Sequence, residues 1–177
     1  VSDKVRLNVN LSPRQVQANR IYRDIEEAAS AANLPLHRLV FEVTEGLFLN
    51  NDQVTISLLT WLRDEGARVV IDDFGTGYSS FSYLRKLPVD GIKIDRSFIM
   101  NMDQDGDALA VVKSIIAVAQ ALDLSVTAEG VETDAQRRLM QELQCDYLQG
   151  YFYSKPLCSS QLASFIQRAA GSGMAFG

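Results

Sequence analysis

Six times along the chain, a short run of mostly apolar residues gives way to a longer stretch whose apolar positions recur with helical period. The short runs occupy residues 5–10, 39–43, 68–72, 91–95, 125–129 and 145–148. The helical stretches cover 13–32, 52–65, 79–86, 107–122, 134–143 and 160–170. Six βα units in succession predict an α/β fold on a parallel sheet. A length of 177 residues is one domain with a substantial core. Residues 1–170 read as that domain and 171–177 as a flexible C-terminal tail.

Composition narrows the chemistry. A net charge of −5 and a pI near 4.9 argue against binding to a nucleic-acid polymer, which needs clustered Lys and Arg. No stretch approaches the ~18 apolar residues of a membrane span, and nothing at the N-terminus reads as a signal peptide. Cys145 and Cys158 lack metal-ligand spacing and read as one core and one incidental thiol. With a single histidine, His37, histidine triads and His-rich metal sites are almost excluded. Carboxylates, amides or lysine must carry any catalysis.

Those residues sit in telling places. Nearly every strand ends in a group able to bind metal or phosphate: Asn10, Glu42, Asp72 with Asp73, Lys93 with Asp95, Glu129, and Gln149 just past the last strand. An open doubly wound sheet gathers its ligands at one switch point. A barrel gathers all its strand ends at one mouth, so the spread favours a TIM-like (β/α) barrel. A full barrel needs eight strands and ~250 residues. Six strands predict an incomplete ring, either a fragment or one closed some other way. Within strands, residues two apart share a face: Asn8 with Asn10, Lys93 with Asp95, Thr127 with Glu129. Glu42 is expected to point inward and Glu45 to lie on the following loop. Adjacent Asp72 and Asp73, with Glu42 and Glu129 near, would repel strongly and call for cations. Oxygen ligands without His or Cys suit Mg²⁺ or Mn²⁺, and two such ions could clamp a phosphate ester.

These stretches resemble the EAL-type cyclic-di-GMP phosphodiesterase domains. The resemblance rests on Val9-Asn10-Leu11-Ser12 with Gln15, Glu42-Val43-Thr44-Glu45, and Asp72-Asp73-Phe74-Gly75-Thr76-Gly77-Tyr78-Ser79-Ser80. It continues through Lys93-Ile94-Asp95-Arg96-Ser97-Phe98-Ile99, Ala128-Glu129-Gly130-Val131-Glu132-Thr133, and Gln149-Gly150-Tyr151 leading into Ser154-Lys155-Pro156-Leu157. It implies metal ligands at Asn10, Glu42, Asp72 and Asp73, and catalytic roles for Lys93, as base or water positioner, and Glu129. Supporting or substrate-binding roles fall to Asp95, Gln149, Glu45, which would anchor the loop after Asp73, and Glu132. The implied reaction is hydrolysis of cyclic di-GMP to linear pGpG at a two-metal Mg²⁺ or Mn²⁺ site. Implied partners are the nucleotide, a second copy of the chain, and an upstream sensory or GGDEF domain in the full-length protein. The domain is expected in the cytoplasm, with membrane anchoring of the full-length protein left open.

One departure stands out: the family's Glu-Ala-Leu segment, expected upstream of Val9, is absent from the sequence, and with it the first metal-binding Glu, so the resemblance implies an N-terminally incomplete TIM-like barrel. Weak or absent hydrolysis by this chain, and coverage of its open edges by a second copy or by further polypeptide, are the expected consequences. Two other readings stay open: a non-catalytic cyclic-di-GMP-binding module, and an unrelated metal-dependent barrel enzyme such as a lyase. Asp103–Asp107 reads as a solvated loop, because its Gly falls too early for an EF-hand. His37 and Trp61 read as structural or surface residues. A stripe through Val111, Ile115, Val118 and Leu122 is expected to face the core.

Overall fold

Apolar residues at alternate positions drive each strand to bury one face beneath the helices. In the fourth strand Ile92 and Ile94 are fully buried on that side while Lys93 points the other way. The structure, a computed structural model, describes residues 5–18, 20–48, 53–77 and 84–171. Six strands emerge: β1 (Leu7–Leu11), β2 (Leu39–Thr44), β3 (Arg68–Phe74), β4 (Gly91–Ile94), β5 (Ser125–Ala128) and β6 (Tyr147–Leu148). They form one sheet in the order β1-β2-β3-β4-β5-β6 with every ladder parallel. A doubly wound sheet would reverse its order part-way; consecutive order is that of a barrel wall, and the sheet curls into a half-barrel. Among the described residues no ladder joins β6 to β1.

The helices are α1 (Pro13–Val16), α2 (Ile21–Ala31), α3 (Gln53–Asp64), α4 (Arg96–Ile99), α5 (Gly106–Ala121), α6 (Asp134–Glu142) and α7 (Ser159–Gly171); α3 and α5 pack on the convex face of the sheet. The core joins Phe41, Val43, Val69 and Ile71 of the sheet to Leu58, Leu59 and Leu62 of α3 and to Val112 and Ile116 of α5. Trp61 packs edge-on against Tyr22, ring centroids 5.0 Å apart, fastening α3 to α2.

Several boundaries differ from the sequence reading. The first strand runs Leu7–Leu11 rather than 5–10. The helix expected over 13–32 is two helices. Val16 and Ile21 are both buried, yet five residues apart on an unbroken helix they would point about 140° away from each other. Breaking the helix between them lets both reach the core. The stripe on α5 is Val112, Ile115, Ile116 and Ala119, while Val111 is 42% exposed. Short 3₁₀ turns at Leu36–Arg38 and Glu45–Phe48, and the one-turn α4, were not anticipated. Most of the helix expected over 79–86 lies outside the described residues, as does the tail from 172.

At the floor, where the strands begin, three side chains stitch neighbouring strands together. Arg38, just before β2, donates from Nε to the Val5 carbonyl ahead of β1 at 2.7 Å. Asp90, just before β4, accepts the Val69 N–H of β3 at 2.8 Å, and Asp146, just before β6, accepts the Val126 N–H of β5 at 2.8 Å. Arg63 pairs with the other Asp90 oxygen at 3.0 Å. These groups fix register from the end opposite the candidate site.

Candidate active site

Among the described residues the concave face carries one buried cation. Lys93 is 4% exposed, and its Nζ lies 2.6 Å from Glu129, 2.9 Å from Glu42 and 2.9 Å from Asp72. The three carboxylates come from β2, β3 and the end of β5, so the curl of the wall is what lets them converge on a residue of β4. Glu42 is fixed from its other side by Asn8, whose Nδ2 donates to the same oxygen at 2.6 Å.

Asp72 and Asp73 are adjacent, and a regular strand would send them to opposite faces. It does not, because β3 bulges. Ile71 pairs with Ile92 and Phe74 with Ile94, leaving Asp72 and Asp73 opposite the single residue Lys93. Asp73 takes the left-handed conformation, φ 54°, which Asp tolerates better than most side chains. Bulges re-aim side chains in this way beside active sites. The result is that carboxylate oxygens of Asp72, Asp73 and Glu129 lie within 4.8 Å of one another. After the bulge, Glu45 holds the turn from within: its buried carboxylate accepts the N–H of Gly75 at 3.3 Å and of Gly77 at 3.2 Å. A Cβ on Gly77 would come within 3.0 Å of that carboxylate.

Electrostatics follow the crowding. Burial pushes the Glu129 carboxyl up, Asp72 and Glu42 add to this, and Lys93 only partly offsets it. Asp73 is raised by loss of water and then by Asp72 and Asp95. Burial alone would lower Lys93, but its contacts with Glu129, Asp72 and Glu42 prevail and hold it above the usual lysine range. Lys93 is therefore an ammonium across the neutral range.

Other sequence-picked residues lie around this group. Asn10 is exposed and stands opposite Glu42 in the β1–β2 ladder, so that Asn8 makes the contact with Glu42. Asp95, just past β4, caps α4, accepting the Ser97 N–H at 3.0 Å, and stands close enough to the mouth for its charge to act on Asp73. Burial opposes its charge, and the bonds from Ser97 and Arg96 more than reverse that, holding its carboxyl below the usual range. Gln149 is exposed at the edge of a cavity of about 730 Å³ on the concave face, together with Asn8, Thr127 and Lys93. Its carbonyl accepts the Val131 N–H at 3.0 Å. Glu132 is exposed and gives its backbone N–H to Gln136 Oε1 at 2.8 Å. Gln136 was missed, though Thr133-x-x-Gln136 is a capping-box spacing visible in the sequence. Asn8 was visible as a partner of Asn10 on one face, but nothing in the sequence ranked it above its neighbour.

A divalent cation fits these residues. The donors are hard oxygens without His or Cys, and three of them already converge, with buried Asp72 Oδ1 held by the Lys93 ammonium at 2.9 Å.

The family model for the EAL domain matches residues 2–156. The chain belongs to the EAL domain family. This EAL domain is 41% identical over 165 residues to the cyclic di-GMP phosphodiesterase NbdA of Pseudomonas aeruginosa, covering 93% of this chain and 21% of that protein. Among solved structures it resembles the PaMucR phosphodiesterase in complex with c-di-GMP, with a TM-score of 0.83 and 38% identity over 89% of this chain and 64% of that one. It also resembles a manganese/cy-diGMP complex of BlrP1 from Klebsiella pneumoniae, with a TM-score of 0.79 and 30% identity over 87% of this chain and 40% of that one. The chain spans about a fifth to a quarter of the length of the curated relatives it matches. The six consecutive strands of this EAL domain are thus part of a TIM-like barrel wall.

Proposed function

We propose that this EAL domain hydrolyses cyclic di-GMP to linear pGpG with the help of Mg²⁺ or Mn²⁺. The convergence of Asp72, Asp73 and Glu129 within 4.8 Å, beside Lys93, carries this reading. Support comes from the relatives' names and from the manganese complex of BlrP1. Asp72, Asp73 and Glu129 would hold the cation, with Glu42 and Asn10 flanking them. A cation there would offset phosphate charge and lower the pKa of water. In the reaction a water oxygen bonds to phosphorus, the P–O3′ bond breaks, and the product carries a 5′-phosphate and a 3′-hydroxyl. Lys93 presents N–H donors that orient the water and share the carboxylate charge. Asn8 fixes Glu42, Glu45 fixes the turn after Asp73, and Gln149 meets the nucleotide at the mouth. A homodimer, a sensory or GGDEF domain in the full-length protein and a cytoplasmic domain belong to the same reading; the relative MucR is a bifunctional diguanylate cyclase/phosphodiesterase.

The test is to incubate the chain with cyclic di-GMP, with and without Mn²⁺, and to separate products chromatographically. Cation-dependent pGpG supports the reading. Nucleotide binding without product fits both the non-catalytic binding module and a chain silenced by the missing Glu-Ala-Leu glutamate. The same assay on a chain supplied with that segment separates the two, and neither binding nor product there refutes both readings.

A further inference from the structure

We propose that Gln136 is a positioning residue that holds Glu129 in place through the loop between β5 and α6. This rests on the reading of Asp72, Asp73 and Glu129 as a cation site. Gln136 is 4% exposed, and both ends of its amide are used. Oε1 accepts the backbone N–H of Glu132 at 2.8 Å and of Thr133 at 3.0 Å. Nε2 donates to the carbonyls of Ile99 at 3.3 Å and Met100 at 3.2 Å. The first pair is the reciprocal half of a capping box and stabilises the start of α6. The second pair does nothing for α6. It ties that helix to the end of α4, which begins three residues after Lys93.

Glutamate fills the capping position as well as glutamine does, but an ionised carboxylate only accepts, whereas the amide accepts at one end and donates at the other. The loop it anchors is pressed from two more sides. Gly130 has φ +69°, and a Cβ there would come within 2.6 Å of Arg96 Cβ at the start of α4. Val131 donates to the Gln149 carbonyl at 3.0 Å and accepts from the Phe152 N–H at 3.0 Å. Glu129, at the head of this loop, is thereby set against β4, with its oxygen 2.6 Å from Lys93 Nζ. A displacement of about 1 Å at such a point can cost about a hundredfold in turnover.

Gln136→Glu separates positioning from capping. The ionised carboxylate keeps the acceptor for Glu132 and Thr133 but cannot donate to Ile99 and Met100; protonated, its O–H would restore that contact, so Gln136→Met decides the question. Gln136→Met, neutral and of similar length, removes both ends and serves if burying the charge prevents folding. Mn²⁺ affinity is read by calorimetry on chains shown to be folded by circular dichroism, with Asp72→Asn as the site control. Positioning predicts a loss of about 10–100-fold in affinity, typical of groups that orient a metal ligand. In Gln136→Glu that loss would come despite the added negative charge. Wild-type affinity in folded Gln136→Met overturns the proposal. If wild type takes up no more Mn²⁺ than Asp72→Asn, the cation-site reading fails, and a metal-free double-mutant cycle of Gln136→Met with Glu129→Gln in urea decides the rest. Non-additive shifts support the hold of Gln136 on Glu129, and additive shifts overturn it.

Discussion

Replacing Lys93 by Met keeps most of the aliphatic stem and removes the charge that three carboxylates share. At 2.6–2.9 Å and an effective dielectric of about 20, each attraction is worth about 6 kcal/mol before desolvation and carboxylate repulsion are subtracted. Those opposing effects are large. Asp72 and Glu129 lie within 4.8 Å of each other, so their repulsion alone is about 3.5 kcal/mol or more on the same scale. With the lysine gone that repulsion stands uncompensated, and a net loss of about 3–5 kcal/mol is expected at pH 7.5, as for other buried charges left without a partner. With a urea slope of about 2 kcal/mol/M, the midpoint should fall by about 2 M in metal-free buffer. The sign of the pH dependence is fixed by Glu129, whose folded-state carboxyl is already raised and rises further without Lys93. A raised acid binds more protons folded than unfolded, so the penalty is present above the raised value and relieved as pH falls toward the ordinary carboxylate range. The variant should regain much of its loss at pH 5, and at pH 7.5 on addition of Mn²⁺. A midpoint within about 0.5 M of wild type, or a deficit that does not shrink in acid, would refute the picture of Lys93 as the counter-charge of the cluster.

Three further outcomes are expected. Asp72→Asn should weaken Mn²⁺ binding by more than about tenfold, since it removes an anionic ligand at a convergent site; unchanged calorimetric affinity would place the cation elsewhere. Asp90→Ala leaves the Val69 N–H unpaired beneath a fully buried residue and should cost about 1–3 kcal/mol in urea, with no change in Mn²⁺ affinity; a loss of affinity would show floor and mouth to be coupled. Cys158, exposed and lowered mainly by its contact with Ser160, should react with a maleimide near pH 7 well before Cys145, which burial pushes up to about 11. Equal rates by mass spectrometry would contradict that order.

Much of the fold was legible because strand–helix alternation and polar strand ends are properties of sequence spacing alone. Lys93, Glu42, Asp72 and Glu129 could be picked out by their places at strand ends, and the wall does bring them together. The bulge could not be foreseen: simple alternation puts Asp72 and Asp73 on opposite faces, and only the two-against-one pairing with Lys93 reverses that. The capping role of Asp95 was hidden for a related reason. The strand ends at Ile94, so the period-two rule no longer governed its direction, and an Asp just past a strand end found the nearer N–H of Ser97. The break after Val16 was hidden because Pro13–Ala31 carries no internal Gly or Pro to announce it.

The stitches of Arg38, Asp90 and Asp146 make the wall resemble a fan whose ribs are riveted at one end. The ladders run on to the mouth, pairing Asn10 with Glu42 and Thr44 with Asp72, so the ribs stay joined along their length. When a cation or an anionic substrate changes the charge among the carboxylates, the adjustment falls on the turn after Asp73, at the end without rivets. Deuterium exchange would make the asymmetry visible: the amides of Val69 and Val126 should keep the same protection before and after loading, while those of Gly75 and Gly77 slow.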